Sequence, residues 1–299
     1  MSDVLEGLKN EHGVEEILAV DPSSDSASGS GESNDADKTA GNSPGISVGK
    51  LRKVLGNEED VVLKIGLLAD SEGDWENLEK AVKGLEDLGV ETAFFLGDLT
   101  QYGSIEDLQK GRQILESSDI KFLVLPGDHD LAQSVTRGDL SGRSGFIEVF
   151  GNVNQVHESE GHKFLLLDNS ANYTKVSKED LTWFSTEIKD TDFVILSQPL
   201  YHPTNPRVMG KVDGDVVSTV RLQAEEILKT IQESNAQAII AADQHFFSIN
   251  KDPVRESLAH IVIGALISNK NSLRNPQSSR YAILKIYASG YYDVTEVVL

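Results

Sequence analysis

The chain has 299 residues, 39% of them apolar and 6% aromatic, and carries a formal net charge of −21. That length is enough for a full hydrophobic core, in one large domain or two smaller ones. The charge argues against sequence-independent nucleic-acid binding as a main role, no apolar run approaches the roughly 20 residues of a membrane span, and the lack of cysteine removes disulfides and thiolate metal ligands.

Residues 1–48 hold ten acids and two bases, so the acidity is strong at the N-terminus without being confined to it. Val4, Leu5, Leu8, Val14, Ile17 and Leu18 give residues 4–19 the apolar positions of a short helix. Asp21 to Gly49 is rich in Ser, Gly, Asp and Asn, and it lacks the apolar surface needed to offset its ordering entropy. Residues 1–60 are therefore expected to be a mostly disordered acidic tail and linker, with one folded domain over 61–299. No basic segment precedes an apolar stretch, so no secretory signal is expected and a cytoplasmic location is.

From Val61 the pattern alternates between strands and helices. Val61–Leu68 is an apolar run ending at Asp70, and Glu76–Leu88 follows with helical spacing (Leu78, Val82, Leu85, Leu88) and Gly89 as its stop. Thr92–Leu96 runs into Gly97-Asp98, a helix is expected near Ile105–Leu115, and Phe122–Leu125 runs into Gly127-Asp128-His129-Asp130. A strand at Phe164–Leu167 is followed by a helix near Lys178–Ile188, opened by Ser177 with Asp180 three residues on. Phe193–Leu196 leads to Ser197-Gln198-Pro199 and a long loop. A helix near Val217–Glu233 then precedes the strand Ala238–Ala242 and Asp243-Gln244-His245. Three final strands, Ala259–Leu266, Arg280–Tyr287 and Tyr292–Leu299, are expected to pair antiparallel.

Strand, loop, helix, strand repetition implies parallel strands with crossover helices. The carboxyl ends of such strands share one edge of the sheet, where ligands bind. The acidic loops should therefore converge by topology. Unpaired carboxylates gathered there would raise one another's pKa values, and divalent cations are the natural counter-charge.

These loops, in this order, resemble the calcineurin-like metallophosphoesterase superfamily over roughly residues 61–299. Its ordered motifs are D-x-H, G-D, G-N-H-[ED], H-x-P and G-H-x-H, each after a strand. Here they read D-S-E at Asp70–Glu72, G-D at Gly97-Asp98, G-D-H-D at Gly127–Asp130, S-Q-P at Ser197–Pro199 and A-D-Q-H at Ala242–His245. The resemblance implies an α/β fold of four layers, α/β/β/α, with two mixed β-sheets inside. It also implies two metal positions. Asp70, Glu72, Asp98 and His245 would form the first; Asp98, Asp128, Ser197 and Asp243 would form the second. A one-residue shift at the strand end would present Gln198 instead of Ser197, and His202 is a further donor nearby. Glu72 is either a ligand or a solvated side chain.

Carboxylates stand here where the family has imidazoles, which makes the donor set harder and favours Mn²⁺ or Mg²⁺, one or two ions, over Zn²⁺. By the resemblance, His129 would protonate a leaving group and Asp130 would orient its ring. The implied activity is a metal-dependent phosphoric ester hydrolase acting on a phosphorylated small molecule or a phosphodiester. The alternative is a catalytically impaired relative serving as a binding or scaffold protein. Pro203–Asp215 reads as a solvated loop or as a cleft rim, where Arg207 or Lys211 would offset the acidic centre. Asn172-Tyr173-Thr174 matches a glycosylation sequon by pattern alone, and His12, His157, His162 and His260 have no partner motif.

Overall fold

A computed structural model describes residues 60–212, 214–268 and 278–299. The helix expected at 4–19 and the linker expected at 21–49 lie outside the described residues. The described residues belong to one compact unit, Gly56–Leu299.

In chain order the unit begins with β1 (Val61–Leu68), α1 (Trp75–Asp87), β2 (Thr92–Phe95), α2 (Ile105–Leu115), β3 (Lys121–Val124), α3 (Asp128–Thr136) and α4 (Ser144–Phe150). It continues with β4 (Gln155–Ser159), β5 (His162–Leu167), α5 (Lys178–Glu187), β6 (Phe193–Leu196), the short hairpin β7 (Lys211–Val212) and β8 (Asp215–Val216), and α6 (Ser218–Gln232). The last strands are β9 (Ala238–Ala241), β10 (Ser248–Lys251), β11 (Ala259–Val262), β12 (Arg280–Tyr287) and β13 (Tyr292–Val298).

The strands form two mixed sheets, ordered β13-β12-β1-β2-β3 and β10-β11-β9-β6-β5-β4. β1, β2 and β3 run parallel, as do β5, β6, β9 and β11. Antiparallel strands close one edge of the first sheet and both edges of the second.

Side-chain alternation explains the layers. Ile65, Leu67 and Ala69 meet Phe94, Leu123, Phe164, Ile195 and Ile240 in the core between the sheets. Leu68, Ala93 and Phe95 point the other way, onto Leu78, Val82 and Leu85 of α1 and Leu108 of α2. On the second sheet Leu165, Val194 and Ile239 pack against Phe184 of α5 and Ala224, Ile227 and Ile231 of α6. The result is helix, sheet, sheet, helix. Helix starts follow their sequence signals: Ser104 Oγ caps α2 at Asp107 N (3.0 Å), and Ser177 Oγ caps α5 at Asp180 N (3.0 Å).

Two expectations need correction. The first of the three final strands does not pair with the other two. β11 lies in the second sheet, parallel to β9, with Ile261 in the intersheet core, because a strand buried on both faces belongs inside a parallel array. The Gly127–Asp130 segment is not only a loop, since Asp128 is the first residue of α3. A helix N-terminus favours a carboxylate there, whereas apolar periodicity gives no sign of one.

Candidate metal centre

Asp70 and Glu72 follow β1, Asp98 follows β2, Asp128 follows β3, Ser197 follows β6 and Asp243 follows β9. All of these strands end at the same edge, and the backbone ties the loops together. Asp70 N donates to Gly97 O (2.9 Å) and Glu72 N to Asp98 O (2.9 Å) within the first sheet, and Ala242 N donates to Ser197 O (3.0 Å) within the second. Asp243 N also lies 3.3 Å from Asp70 Oδ1, which joins the two sheets at the site.

The loops are sharply bent. Among the described residues six non-glycine residues have positive φ, and five of them are Asp70 (52°), Glu72 (44°), Asp98 (55°), Asp243 (67°) and His245 (58°). Each such conformation costs on the order of 1 kcal/mol. Their concentration at one edge marks a place where backbone comfort yields to side-chain placement. Glycine makes the close approach feasible: a Cβ on Gly127 would lie 2.0 Å from Asp98 Oδ1, and one on Gly97, at φ +114°, would lie 2.7 Å from Ser197 Oγ.

The carboxylates are buried together, Asp70 at 1% exposure, Asp98 at 3% and Asp243 at 6%. Burial, and then Asp243 and Glu72 working against His245, raises the Asp70 carboxyl to about 7. Burial and the carboxylates of Asp128, Asp70, Asp130 and Asp243 hold Asp98 well above the ordinary range. Asp128 is raised by burial and by Asp243, with His129 and Arg207 opposing. Asp70 Oδ2, Asp128 Oδ1 and His245 Nδ1 are buried without a hydrogen-bond partner. Buried polar atoms of this kind are rare unless a ligand uses them. Unpartnered buried oxygens suit a divalent cation, and Asp70 has His245, Asp243 and Glu72 as charged neighbours while Asp98 has Asp70 and Asp128. His245 Nε2 lies 3.2 Å from Glu72 Oε1. Asp98, Asp128 and His129 also each offer one ligand atom, all within 4.8 Å of one another.

At the second position Arg207 is the notable occupant. Its Nε donates to Asp243 Oδ2 (2.7 Å) and its Nη2 to Asp243 Oδ1 (2.9 Å), a two-pronged pair, while Nη2 lies 3.9 Å from Asp128 Oδ1. Of the two roles its loop allowed, the structure shows Arg207 at the acidic centre; Lys211 is exposed in β7.

His129 Nδ1 donates to the Gln101 carbonyl (2.9 Å), which fixes the ring. Asp130 has a different set of partners: Gly127 N (3.0 Å), Leu99 N (3.2 Å), Thr100 N (2.8 Å) and Thr100 Oγ1 (2.9 Å). The ring is thus oriented by Gln101, and Asp130 braces the β2 and β3 loops against each other. Ser197 is buried, its N donating to Asn169 Oδ1 (3.0 Å). Gln198 bonds to Asn172, which donates from Nδ2 to Asp128 Oδ2 (2.6 Å). His202 stays in its own loop, with Nδ1 accepting from Asn205 N (2.7 Å) and Nε2 3.1 Å from Ser248 Oγ. Asn169 has no motif and Asn172 only the sequon pattern, and neither signals a contact with the site.

The profile of the calcineurin-like phosphoesterase family matches residues 63–247. A curated protein of Vesicomyosocius okutanii, named "Probable cyclic nucleotide phosphodiesterase", is 27% identical over 135 residues, 44% of this chain and 53% of that protein. The chain thus spans about half the length of the curated relative it matches. Among solved structures, a dimetal phosphatase from Danio rerio superposes with a TM-score of 0.55 at 14% identity, covering 80% of this chain and 99% of that one. Purple acid phosphatase PPD1 from yellow lupin (Lupinus luteus) seeds gives 0.52 at 10% identity, covering 79% and 53%. Both likenesses show a shared fold.

Proposed function

The chain belongs to the calcineurin-like phosphoesterase family, and from that premise and the geometry of its strand-end cluster we propose a metal-dependent phosphoesterase that prefers phosphodiesters. The observation that carries this reading is the burial of Asp70, Asp98 and Asp243 together, with Asp70 Oδ2 and Asp128 Oδ1 lacking a hydrogen-bond partner. Asp70, Glu72, Asp98 and His245 would hold the cation, and their mostly carboxylate donor set suits Mn²⁺ or Mg²⁺. When bound, such an ion lowers the pKa of water and offsets charge on a phosphoryl group.

The chain's own residues supply the rest. His129, with Nδ1 engaged by Gln101, carries a proton at Nε2 for the leaving oxygen as the P–O bond breaks. Asn172 fixes Asp128 by its hydrogen bond. Five carboxylates, Asp70, Glu72, Asp98, Asp128 and Asp243, leave the cleft negative, so a singly charged diester meets less repulsion than a doubly charged monoester. The name of the Vesicomyosocius okutanii relative supports a diester as well. No helix among the described residues is long and apolar enough to cross a membrane, and a cytoplasmic location belongs to the same proposal.

The test is hydrolysis of an aryl phosphate and its bis-aryl diester with Mn²⁺ added, comparing wild type with His129→Ala. The expected result is turnover of the diester, reduced about 10²- to 10⁴-fold in the variant, the usual contribution of a general acid. If neither ester is hydrolysed while Mn²⁺ still raises the melting temperature, the chain is a binding or scaffold relative.

A further inference from the structure

We propose that the Arg207 guanidinium is a built-in cation in the second metal position, so that the folded chain takes up one divalent ion and not two. The inference deepens the phosphoesterase reading, and it rests on that reading only for where the family would put its metals.

Three observations carry it. First, both oxygens of Asp243 are already used, by Arg207 Nε at 2.7 Å and Nη2 at 2.9 Å. A planar guanidinium paired edge to edge with a carboxylate leaves a metal little room on that face. Asp128, the next residue of the second set, lies 3.9 Å from the same Nη2. The guanidinium thus stands between the two carboxylates that a second ion would bridge.

Second, the remaining second-site donors are fewer than the family's set and partly engaged. Ser197 supplies a hydroxyl where the family has imidazole, and Asp128 Oδ2 is held by Asn172 Nδ2 (2.6 Å). What is left is Asp98 and Asp128 Oδ1, and Oδ1 faces the fixed positive charge of Arg207 Nη2 at 3.9 Å.

Third, Arg207 is a built feature and not a solvated arm that has fallen inward. Its N donates to Asn205 Oδ1 (3.0 Å), and its carbonyl accepts from Gln244 Nε2, next to Asp243. The following residue but one, Met209, is fully buried, and its N donates to Pro199 O (2.8 Å) just after β6. Arg221 of α6 then donates from Nη1 to the carbonyls of Leu200 (2.9 Å) and Met209 (3.2 Å). The loop is clamped on both sides of Arg207, and the side chain is about one-fifth exposed. Burying a guanidinium against a carboxylate is costly unless the pairing is good. Here the two-pronged geometry meets that condition. Asp70 Oδ2 at the first position and Asp128 Oδ1 at the second both lack a hydrogen-bond partner, but Asp128 Oδ1 faces Arg207 Nη2 at 3.9 Å, so the second position already holds a cation of the chain's own.

The experiment is metal stoichiometry on the full chain, treated with chelator and then titrated with Mn²⁺, read by elemental analysis and by electron paramagnetic resonance. Wild type should bind one Mn²⁺ per chain, with a mononuclear spectrum free of exchange coupling. Arg207→Ala should bind two, with coupling between them. The double variant Arg207→Ala/Asp243→Asn should return to one. Arg207→Lys, which keeps the charge, should remain at one. Two Mn²⁺ in wild type overturns the inference regardless of how the variants fold. So does a variant Arg207→Ala that retains wild-type circular dichroism and still binds only one. Esterase activity is scored separately: wild type with two ions and turnover overturns the inference alone, whereas one ion and no turnover overturns the functional reading alone.

Discussion

At the scale of single residues, the acidic centre separates side chains that do chemistry from those that hold them. Asp130 belongs to the second group: its buried carboxylate gathers four hydrogen bonds from Gly127, Leu99 and Thr100. Removing it would leave those donors unsatisfied in a dry interior. Asp130→Ala is therefore expected to lower unfolding stability by about 2–4 kcal/mol, measured by urea denaturation. A change within about 0.5 kcal/mol, typical of surface substitutions, would contradict this role. The residue scale also shows where sequence reading stops. Asp70, Asp98, Asp128 and Asp243 were legible because an acid directly after an apolar strand has one place to go. Arg207 sits in a long loop whose path depends on Met209 and Pro199 packing, and local pattern holds no record of that. Asn172 was legible only as a sequon, because its contact with Asp128 spans 44 residues.

Among elements, strands buried on both faces were the easiest to read. Phe193–Leu196 and Arg280–Tyr287 have the bounds that their apolar and β-branched runs indicate. The flanking strands β4 and β10, with sequences QVHES and SINK, were missed because half-exposed polar strands lack an apolar signal. β10 and β11 are linked through Asp252, which accepts from Val254 N (2.8 Å), Arg255 N (2.8 Å), Gln232 Nε2 (3.0 Å) and His260 Nε2 (2.8 Å). Burial pushes the Asp252 carboxyl up, but these hydrogen bonds outweigh it and leave it below the usual range. Burial lowers the His260 imidazole, and Asp252 only partly opposes that. Both shifts have the same sign for stability. A depressed carboxyl stabilises above its unfolded value near ~4, and a depressed imidazole favours the neutral ring, so both contributions are complete above about pH 6.5 and fade on acidification. The melting-temperature gap between wild type and Asp252→Asn/His260→Gln should therefore be wider at pH 7.5 than at pH 5. A gap that is constant or widens toward acid would contradict the assignment.

Across the whole molecule, one topological fact organises the rest. Two sheets whose parallel strands end at one edge, packed through a core running from Ile65 to Ile240, deliver acids from both halves of the chain to a common point. The family profile covers this region, residues 63–247, and the positive-φ residues cluster where the two sheets meet. Burial first, and mutual repulsion after it, raise the carboxyls of that cluster, and Arg207 answers only part of this. The remainder is what the proposed cation would offset.

Calorimetric titration of Mn²⁺ into the chelator-treated chain, wild type against Asp98→Asn, tests that proposal most directly. Wild type should show saturable binding with a rise in melting temperature, equivalent to about 2.7 kcal/mol at a hundredfold excess over Kd, and Asp98→Asn at least tenfold weaker binding. Folded wild-type protein that shows neither binding heat nor any thermal shift with Mn²⁺ or Mg²⁺ would contradict it.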